Sequence, residues 1–334
     1  MKIAVVGCGA LGTFYGARLC RAGQEVHFLP RSDYESVRDS GARILSLEGD
    51  FTAHPRCARR PEEIGPSDLV LIALKSTANH VLPSILPALV GAHSVVLTLQ
   101  NGLGNEEELA RHFPAEQIMG GLCFVCLNRI KPGVVRHSAH GTIVVGEFEG
   151  GLKPRTHEVA GVFRAAGIHC EVSENLARTH WEKLVWNIPF NGLGVASAAG
   201  YEAVRTGKAP GEFKSIGRCL ATDALLADPD WAGLVRTVMG EVIAIANSLA
   251  MEIPEALADK QIERTRKMGA YKASTVVDFE RGLPLELESL FLEPLRRGER
   301  ANVPAPVLKN LCEVLRALDS RRERTAQKLS TASR

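Results

Sequence analysis

The sequence predicts a doubly wound α/β domain followed by an all-helical domain. Its 334 residues suffice for about two domains of ordinary size. Short runs of Val, Ile and Leu alternate with amphipathic stretches in the first half, whereas the second half carries only helical periodicity. Glycine follows the same division, because residues 1–151 hold 18 of the 31 glycines, as a turn-rich α/β domain requires.

The composition is that of an ordinary globular protein. The formal net charge is +2, with 45% hydrophobic and 23% charged residues, which disfavours disorder and a polybasic nucleic-acid binder. Aromatic residues, at 5%, leave little surface for stacking on nucleic-acid bases. The apolar runs are shorter than the roughly 20 residues of a membrane span, and the run after Met1-Lys2 is too short for a secretory signal. We therefore expect a cytoplasmic protein that binds neither membrane nor nucleic acid.

The first domain is expected to span residues 1–175. Buried strands are predicted at residues 3–6, 25–29, 69–74 and 95–99, with helices at 10–22, 33–41, 77–89 and 104–113. This alternation predicts parallel strands joined by crossover helices. The domain is completed by strand-like runs at 122–127, 133–137 and 142–146, a helix at 154–166 and a strand at 168–172.

The second domain is expected over residues 176–320. Spaced apolar residues predict helices at 176–197, 213–226, 232–250, 255–268 and 304–319. The remaining segment, residues 321–334, is polar and nearly free of large apolar side chains, which predicts a flexible tail.

The eight cysteines are scattered without the dense spacing of a disulfide scaffold, so reduced thiols are expected. Cys123 and Cys126 have the spacing of a metal or redox motif, but no second Cys or His pair stands nearby to complete a zinc site. Their apolar neighbours favour a strand, in which the thiols point to different faces or pack as small apolar groups. No metal site is predicted.

A glycine-rich loop, Gly7-Cys8-Gly9-Ala10-Leu11-Gly12, directly follows the first strand and opens the first helix. The pattern suits a dinucleotide pyrophosphate, because Gly7 permits a tight turn and Gly9 lets the backbone approach the diphosphate. Gly12 lets the helix pack on the strand, and the N–H groups at the helix N-terminus face the phosphates. The alternative is a glycine-rich turn without a ligand, which the strand–helix–strand rhythm disfavours.

The residues after the second strand bear on the choice of cofactor. An NAD enzyme places Asp or Glu there against the ribose 2′-hydroxyl, whereas this chain has Pro30-Arg31-Ser32. A guanidinium pairs with a 2′-phosphate, so Arg31 favours NADP, with Ser32 as an additional donor. Asp33 follows two residues later and is interpreted as the cap of the next helix. The alternative for Arg31 is an ordinary surface charge.

Polar residues also follow the third and fourth buried strands, where ligands bind in open α/β sheets. Lys75 comes after the run 69–74, and Gln100-Asn101-Gly102 comes after the run 95–99. Asn101 is placed to bond the nicotinamide ribose or a substrate carboxylate. The alternative is a turn asparagine.

The start of the helical domain carries the candidate catalytic group. Lys183, Asn187 and Asn191 are spaced so that they share one face of a helix. Polar groups held beside so many apolar residues require partners, which a substrate would supply. The alternative is a pair of core asparagines bonded internally, and His180 is a rival acid near the same face.

Together these motifs resemble the ketopantoate reductase (2-dehydropantoate 2-reductase) family over nearly the whole chain. The matching residues are Gly7, Gly9, Gly12, Arg31, Lys75, Gln100, Asn101, Gly102, Gly104, Lys183, Asn187, Asn191, Ala273, Ser274, Asp278 and Glu286. The resemblance implies a Rossmann domain joined to a helical domain like that of 6-phosphogluconate dehydrogenase, with the active site between them. It also implies reduction of a 2-oxo acid at C2 by NADPH, namely ketopantoate to pantoate in pantothenate biosynthesis.

The resemblance further implies a role for each matching residue. Lys183 takes the place of the general acid toward the ketone oxygen, and Glu286 that of the carboxylate that bonds the substrate hydroxyl. Substrate-binding positions of the family correspond to Asn101, Asn187, Asn191 and Ser274, and cofactor-binding positions to the glycine-rich loop, Arg31, Lys75 and Asn101.

Two departures from the family pattern bear on the pocket. Pro189 lies within the Lys183 helix, where it removes one N–H and predicts a kink that re-aims Asn191. After Glu286 the bulky run Leu287-Glu288-Ser289-Leu290-Phe291 replaces the family's small turn, which leaves a different branched 2-oxo acid open as the substrate.

The sequence disfavours three other classes of protein. β-Hydroxyacid dehydrogenases carry a glycine-rich segment before the catalytic lysine, and opine dehydrogenases use a His/Asp pair, neither of which is evident here. A non-catalytic NADP-sensing protein has no physical need for the row that begins at Lys183. A homodimer is expected only by analogy with the superfamily.

Overall fold

The computed structural model describes residues 1–208 and 217–332, with side chains described as far as Arg322. The chain divides into two compact units, Met1–Leu176 and Ala177–Arg334. The first unit is built around one mixed sheet, and the described part of the second contains helices throughout. This is the Rossmann-type domain followed by an all-helical domain that the sequence predicts.

The first unit contains a ten-stranded sheet in the order β4-β3-β9-β8-β7-β6-β1-β2-β5, with β10 beside β9. Only the pairs β3–β4 and β8–β9 are antiparallel. The strands are β1 Lys2–Val6, β2 Glu25–Leu29, β3 Ala42–Ser46, β4 Phe51–Ala53, β5 Arg56–Cys57, β6 Ser67–Ile72, β7 Val90–Thr98, β8 Ile118–Lys131, β9 Val134–Glu147 and β10 Cys170–Val172.

The central strands are buried on both faces. Ile3 and Val5 of β1 belong to one apolar cluster, and Ala4 and Val6 belong to another on the opposite face. Alternation along a strand places successive side chains on opposite faces, so a continuous apolar run marks a strand covered on both sides. The helices that cover the sheet are α1 Ala10–Arg21, α2 Tyr34–Ser40, α3 Leu82–Ile85, α4 Asn105–Ala110 and α5 Pro154–Ala165.

The second half of the sheet differs from the prediction. Three strands are predicted between residues 122 and 146, but the structure has two long strands there, β8 and β9. These two strands form a hairpin around Pro132-Gly133. Gly141 is a bulge rather than a break, because Phe124 pairs with Thr142 and Val125 pairs with His140. The short polar strands β3, β4 and β5 were not predicted, since they lack a run of apolar residues.

An ion-pair cluster ties α5 to the end of β9. The Glu147 carboxylate is buried and accepts hydrogen bonds from Arg155 and from the Thr156 hydroxyl. Lys153 Nζ lies 3.7 Å from the same carboxylate. A buried carboxylate is retained only when it is paired in this way.

The second unit is helical in its described part. Its helices are α6 Leu176–Ala196, α7 Tyr201–Thr206, α8 Thr222–Ala227, α9 Pro229–Ser248, α10 Ala256–Arg266, α11 Ser274–Glu280, α12 Glu293–Arg300 and α13 Pro306–Ala332. A π-helical turn, Glu288–Leu292, leads into α12. None of the described helices is long and apolar enough to cross a membrane.

The predicted helices at 176–197, 232–250 and 255–268 match α6, α9 and α10 to within three residues at each end. In the first unit, the predictions at 10–22, 33–41 and 154–166 likewise match α1, α2 and α5. The prediction for 213–226 falls partly on residues 209–216, which lie outside the described residues, and only Thr222–Ala227 is helical within the rest. The last helix continues to Ala332, so it passes the predicted end at residue 319 into the segment predicted as a tail. That segment is rich in Arg, Ala, Gln and Lys, which favour helix. Residues 333 and 334 lie outside the described part.

Candidate active site

Four parallel strands of the first unit end in register at one edge of the sheet. Val6 of β1 pairs with Leu29 of β2 and with Ile72 of β6, and Ile72 pairs with Thr98 of β7. At about 4.8 Å between neighbouring strands, the four ends span about 14 Å. Because β1 lies between β2 and β6, the chain crosses to opposite sides of β1, and ligands bind at such a switch point in open α/β sheets.

The glycine-rich loop lies at the end of β1. Gly7 has a φ of +99°, and a Cβ there would lie 2.5 Å from the backbone nitrogen of Leu74. A Cβ on Gly12 would lie 2.2 Å from the Gly7 carbonyl oxygen, so α1 packs against the loop as closely as glycine allows. A Cβ on Gly9 would meet no atom of the described residues within 4 Å. A pyrophosphate-binding loop requires a tight turn, a backbone that the phosphates can approach, and close packing of the helix on the loop.

The remaining residues of this loop open the first helix and pack against the core of the first unit. α1 begins at Ala10, and its N-cap residue Gly9 has no side chain with which to cap the first turn. Burial raises the pKa of the Cys8 thiol well above its usual range, and Cys8 Sγ donates to the Val5 carbonyl at 3.6 Å. Cys8 is therefore a neutral packing group. Leu11 is partly buried against the core on the same face.

Arg31 and Ser32 are exposed at the end of β2, and Asp33 beside them is buried. Asp33 occupies the N-cap position of α2 but makes no side-chain cap bond, which differs from the interpretation of this residue as a helix cap. Its carboxylate instead accepts from Arg129, from the Gly133 backbone N–H and from the Ser32 hydroxyl. The donors from the β8–β9 hairpin draw the carboxylate away from the helix.

A chain of amides joins the loops after β6 and β7. Gln100 Nε2 donates to Asn79 Oδ1 at 2.6 Å, and Asn79 Nδ2 donates to Asn105 Oδ1 at 3.1 Å. Asn105 Nδ2 donates in turn to the Asn101 carbonyl oxygen at 3.1 Å, and the Thr98 hydroxyl donates to Gln100 Oε1 at 3.0 Å. The backbone of Asn101 is therefore held from the end of its own strand and from the segment after β6.

Lys75 and Asn101 stand at the two strand ends that this amide chain connects. Lys75 is exposed and is the N-cap residue of a 3₁₀ segment, Ser76–Val81, which contains Asn79. Asn101 is half-buried, and the glycines at 102 and 104 after it have φ values of +91° and +88°. The first unit thus brings the glycine-rich loop, Arg31, Lys75 and Asn101 to one edge of its sheet.

The second unit places the row predicted to be catalytic on α6. This helix runs unbroken from Leu176 to Ala196 across Pro189, so Lys183, Asn187 and Asn191 share one face, about 6 Å apart along the axis. Lys183 is half-buried, whereas Asn187 and Asn191 are buried. The side of α6 opposite this row packs in the apolar core.

Asn191 connects α6 to the start of α11. Its Oδ1 accepts from the Thr275 backbone N–H at 2.9 Å and from the Ser274 hydroxyl at 3.4 Å. Its Nδ2 donates to the Asn187 carbonyl oxygen at 2.9 Å. The alternative of an internally bonded core asparagine thus describes the amide of Asn191, and Ser274 remains exposed beside it.

Glu286 and His180 are the other titratable candidates in this unit. Glu286 is buried just before the π-helical turn, a feature that is frequent at functional sites. His180 is buried one turn before Lys183 on α6. In the bulky run after Glu286, Leu290 and Phe291 are core residues, whereas Glu288 is exposed. A Cβ on Gly192 of α6 would lie 2.8 Å from the Phe291 ring.

Sequence reasoning missed two residues that shape the strand-end sites. Arg129 is 96 positions from Asp33 in the chain, and only the hairpin of β8 and β9 brings the two together. Asn79 lies in a segment predicted as a plain helix, and no local pattern distinguishes it. In both cases the signal is a side-chain contact between elements distant in sequence.

Comparisons with known proteins cover both units. The family model described as "Ketopantoate reductase PanE/ApbA" matches residues 3–150, and that described as "Ketopantoate reductase PanE/ApbA C terminal" matches residues 212–319. A curated 2-dehydropantoate 2-reductase from a Nostoc species is 39% identical, covering 98% of this chain and 97% of the relative.

Solved structures of similar fold span nearly the full length. The crystal structure of 2-dehydropantoate 2-reductase from Geobacter metallireducens is 42% identical with a TM-score of 0.87, covering 95% of this chain and 99% of that one. A ternary structure of D-mandelate dehydrogenase with NADH and anilino(oxo)acetate has a TM-score of 0.83 at 19% identity, covering 97% of this chain and 99% of that one, which shows a shared fold.

Proposed function

The chain belongs to the ketopantoate reductase family of nicotinamide-dependent oxidoreductases, and we propose that it reduces ketopantoate to pantoate with NADPH. The observation that carries this proposal is the presence of two arrangements in the same chain. One is the row of strand-end loops in the first unit, and the other is the Lys183 row on α6.

The residues at the strand ends fit a dinucleotide that carries a 2′-phosphate. The loop is open at Gly9, since a Cβ there would meet no described atom within 4 Å. Arg31 is exposed and basic, and the Asp33 carboxylate beside it is fully engaged by other donors. NADPH, when bound, supplies the hydride. The glycine-rich loop, Arg31, Lys75 and Asn101 are the residues that would hold it.

Lys183 is proposed as the general acid. The ammonium at Nζ donates a proton to the C2 carbonyl oxygen of the substrate as that oxygen gains negative charge. Lys183 is half-buried, so its ammonium is less hydrated than that of a fully exposed lysine. Glu286 is proposed to accept a hydrogen bond from the hydroxyl of the substrate, and so to orient the substrate in the site.

The substrate carboxylate and hydroxyls require further donors. Asn101 offers an amide from the first unit, and Asn187 and Ser274 offer polar groups from the second. Asn191 supports Ser274, because its Oδ1 accepts from the Ser274 hydroxyl and from the backbone N–H of Thr275. We include Asn191 among the substrate-binding residues through this support and through its second Nδ2 hydrogen.

The proposal is tested by following NADPH absorbance with ketopantoate and a panel of branched 2-oxo acids. Turnover of ketopantoate in preference to the panel supports the assignment. If only another branched 2-oxo acid is turned over, the enzyme performs the same chemistry on a different substrate. The bulky residues after Glu286 are the feature of the sequence that favours this second candidate. Binding of NADPH without turnover of any oxo acid supports the sensing alternative and contradicts the proposal.

A further inference from the structure

The Asp33 carboxylate has no acceptor site left for a ligand. An ionised carboxylate offers about four acceptor positions. Arg129 Nε donates to Asp33 Oδ2 at 3.0 Å, and a terminal nitrogen of Arg129 donates to Oδ1. The Gly133 backbone N–H donates to Oδ2 at 2.9 Å, and the Ser32 hydroxyl donates to Oδ1 at 2.7 Å. Four donors therefore fill the four positions.

This carboxylate stands close to where an NAD-dependent enzyme places the acid that binds the ribose 2′-hydroxyl. Asp33 is only 4% exposed, so an unpaired charge there would be strongly disfavoured, and Arg129 supplies the opposite charge. The Arg129 side chain is 39% exposed, so the guanidinium faces solvent while its fork grips the carboxylate. The pair removes an acid from the neighbourhood of Arg31.

We propose that Arg129 is a positioning residue for coenzyme specificity, which acts by sequestering Asp33. Arg129 occupies the Asp33 carboxylate and balances its charge. The site therefore repels a 2′-phosphate less than a free carboxylate would, and it offers no acceptor to a 2′-hydroxyl. This inference rests on the proposed use of NADPH. It adds that the preference depends on a residue of the β8–β9 hairpin as well as on Arg31.

The hairpin is suited to this task. Gly133 follows Pro132 in the turn between β8 and β9, and its φ of +70° turns its N–H toward Asp33. The Gly133 carbonyl oxygen accepts from the Arg43 N–H at the start of β3. One turn thus binds both the carboxylate before α2 and the strand after it, which fixes Arg129 against Asp33.

The test compares binding and kinetics of NADPH and NADH for wild type, Arg129→Ala, Arg129→Lys, and Arg129→Ala combined with Asp33→Asn. We expect Arg129→Ala to lower the NADPH-to-NADH ratio of kcat/KM about tenfold or more, mainly through the KM and Kd for NADPH. Arg129→Lys should fall between, since a lysine keeps the charge but not the fork. The double variant should recover most of the ratio, because the exposed acid is gone.

A matched control separates specificity from folding. Arg155→Ala breaks another arginine–carboxylate pair of the same unit, with the buried Glu147 of β9, which lies five strands along the sheet from β2. It should lower the melting temperature without changing the coenzyme ratio.

Two results overturn the inference alone, while wild type still prefers NADPH. One is an unchanged ratio in Arg129→Ala, and the other is a double variant as impaired as the single, which would mean direct contact with the phosphate. A wild-type preference for NADH in direct binding overturns both this inference and the proposed cofactor.

Discussion

The side chain of Asn191 holds the backbone N–H of Thr275 at 2.9 Å, and this one hydrogen bond joins the helix of the proposed acid to the start of α11. Asn191 is 2% exposed, so the N–H it satisfies has no access to water if the amide is removed. The same amide supports Ser274 at 3.4 Å. A residue of the predicted substrate row thus also organises a neighbouring helix.

We therefore expect Asn191→Ala to cost both stability and substrate affinity. Loss of the acceptor leaves the Thr275 N–H buried and unsatisfied, which lowers the free energy of unfolding by about 1–3 kcal/mol. The misplaced Ser274 raises KM for the oxo acid. Urea unfolding and steady-state kinetics measure the two effects, with Ser274→Ala as the control that should raise KM alone. Unchanged stability in Asn191→Ala would contradict this account of the hydrogen bond.

Two glycines of the dinucleotide loop predict opposite outcomes on substitution by alanine. A Cβ on Gly12 would lie 2.2 Å from the Gly7 carbonyl oxygen, so Gly12→Ala should lower the melting temperature. A Cβ on Gly9 meets open space among the described residues, so Gly9→Ala should melt like wild type and bind NADPH more weakly. Thermal melts and NADPH titration by fluorescence distinguish the two. Wild-type NADPH affinity in Gly9→Ala would argue against a phosphate at this loop.

We expect substitution of Asn79 to lower the catalytic rate although this residue is not proposed to contact the substrate. Asn79→Ala removes the link between Gln100 and Asn105, and with it the support of the Asn101 backbone. We expect kcat/KM to fall about 5- to 100-fold, the range that corresponds to one broken buried hydrogen bond. Asn79→Asp keeps the acceptor for Gln100 and should retain more activity than Asn79→Ala. Equal, full activity in both variants would show that the amide chain has no role in positioning Asn101.

The buried thiols of Cys170 and Cys312 are expected to be unreactive toward alkylating reagents at pH 8. Burial raises the pKa of the Cys170 and Cys312 thiols to about 12 each. At pH 8 only about one molecule in 10⁴ then carries a thiolate at either position, and the thiolate is the form that reacts. Iodoacetamide at pH 8 should leave both thiols unlabelled in the native protein and label them in urea. Mass spectrometry of the digested protein reads the result, and rapid native labelling of either would contradict it.

Much of the fold follows from local patterns. The central strands β1, β6 and β7 were predictable because each carries an apolar run that is buried on both faces of the sheet. The short strands β3 to β5 carry too few apolar residues to be distinguished from loops. Residues 133–137 and 142–146 were predicted as separate strands because a glycine such as Gly141 can mark either a bulge or a turn. Only the strand register shows that Gly141 is a bulge.

The candidate site divides along the same line. Strand-end residues such as Arg31, Lys75 and Asn101 were identified because their position follows directly from the strands before them. The partner of Asp33 was not, since Arg129 reaches it only through the packing of the β8–β9 hairpin. The internal bonds of Asn191 likewise depend on α11, whose place beside α6 no local pattern reveals.

The most direct test of the account is the initial rate of NADPH oxidation with ketopantoate in wild type, Lys183→Ala and Lys183→Arg. As general acid, Lys183 should contribute about 10²- to 10⁴-fold to kcat, so Lys183→Ala should lose that factor while its NADPH affinity and melting temperature stay near wild type. Lys183→Arg keeps the positive charge but a guanidinium gives up its proton poorly, so it should recover little of the rate. Full activity of Lys183→Ala with ketopantoate would contradict the account.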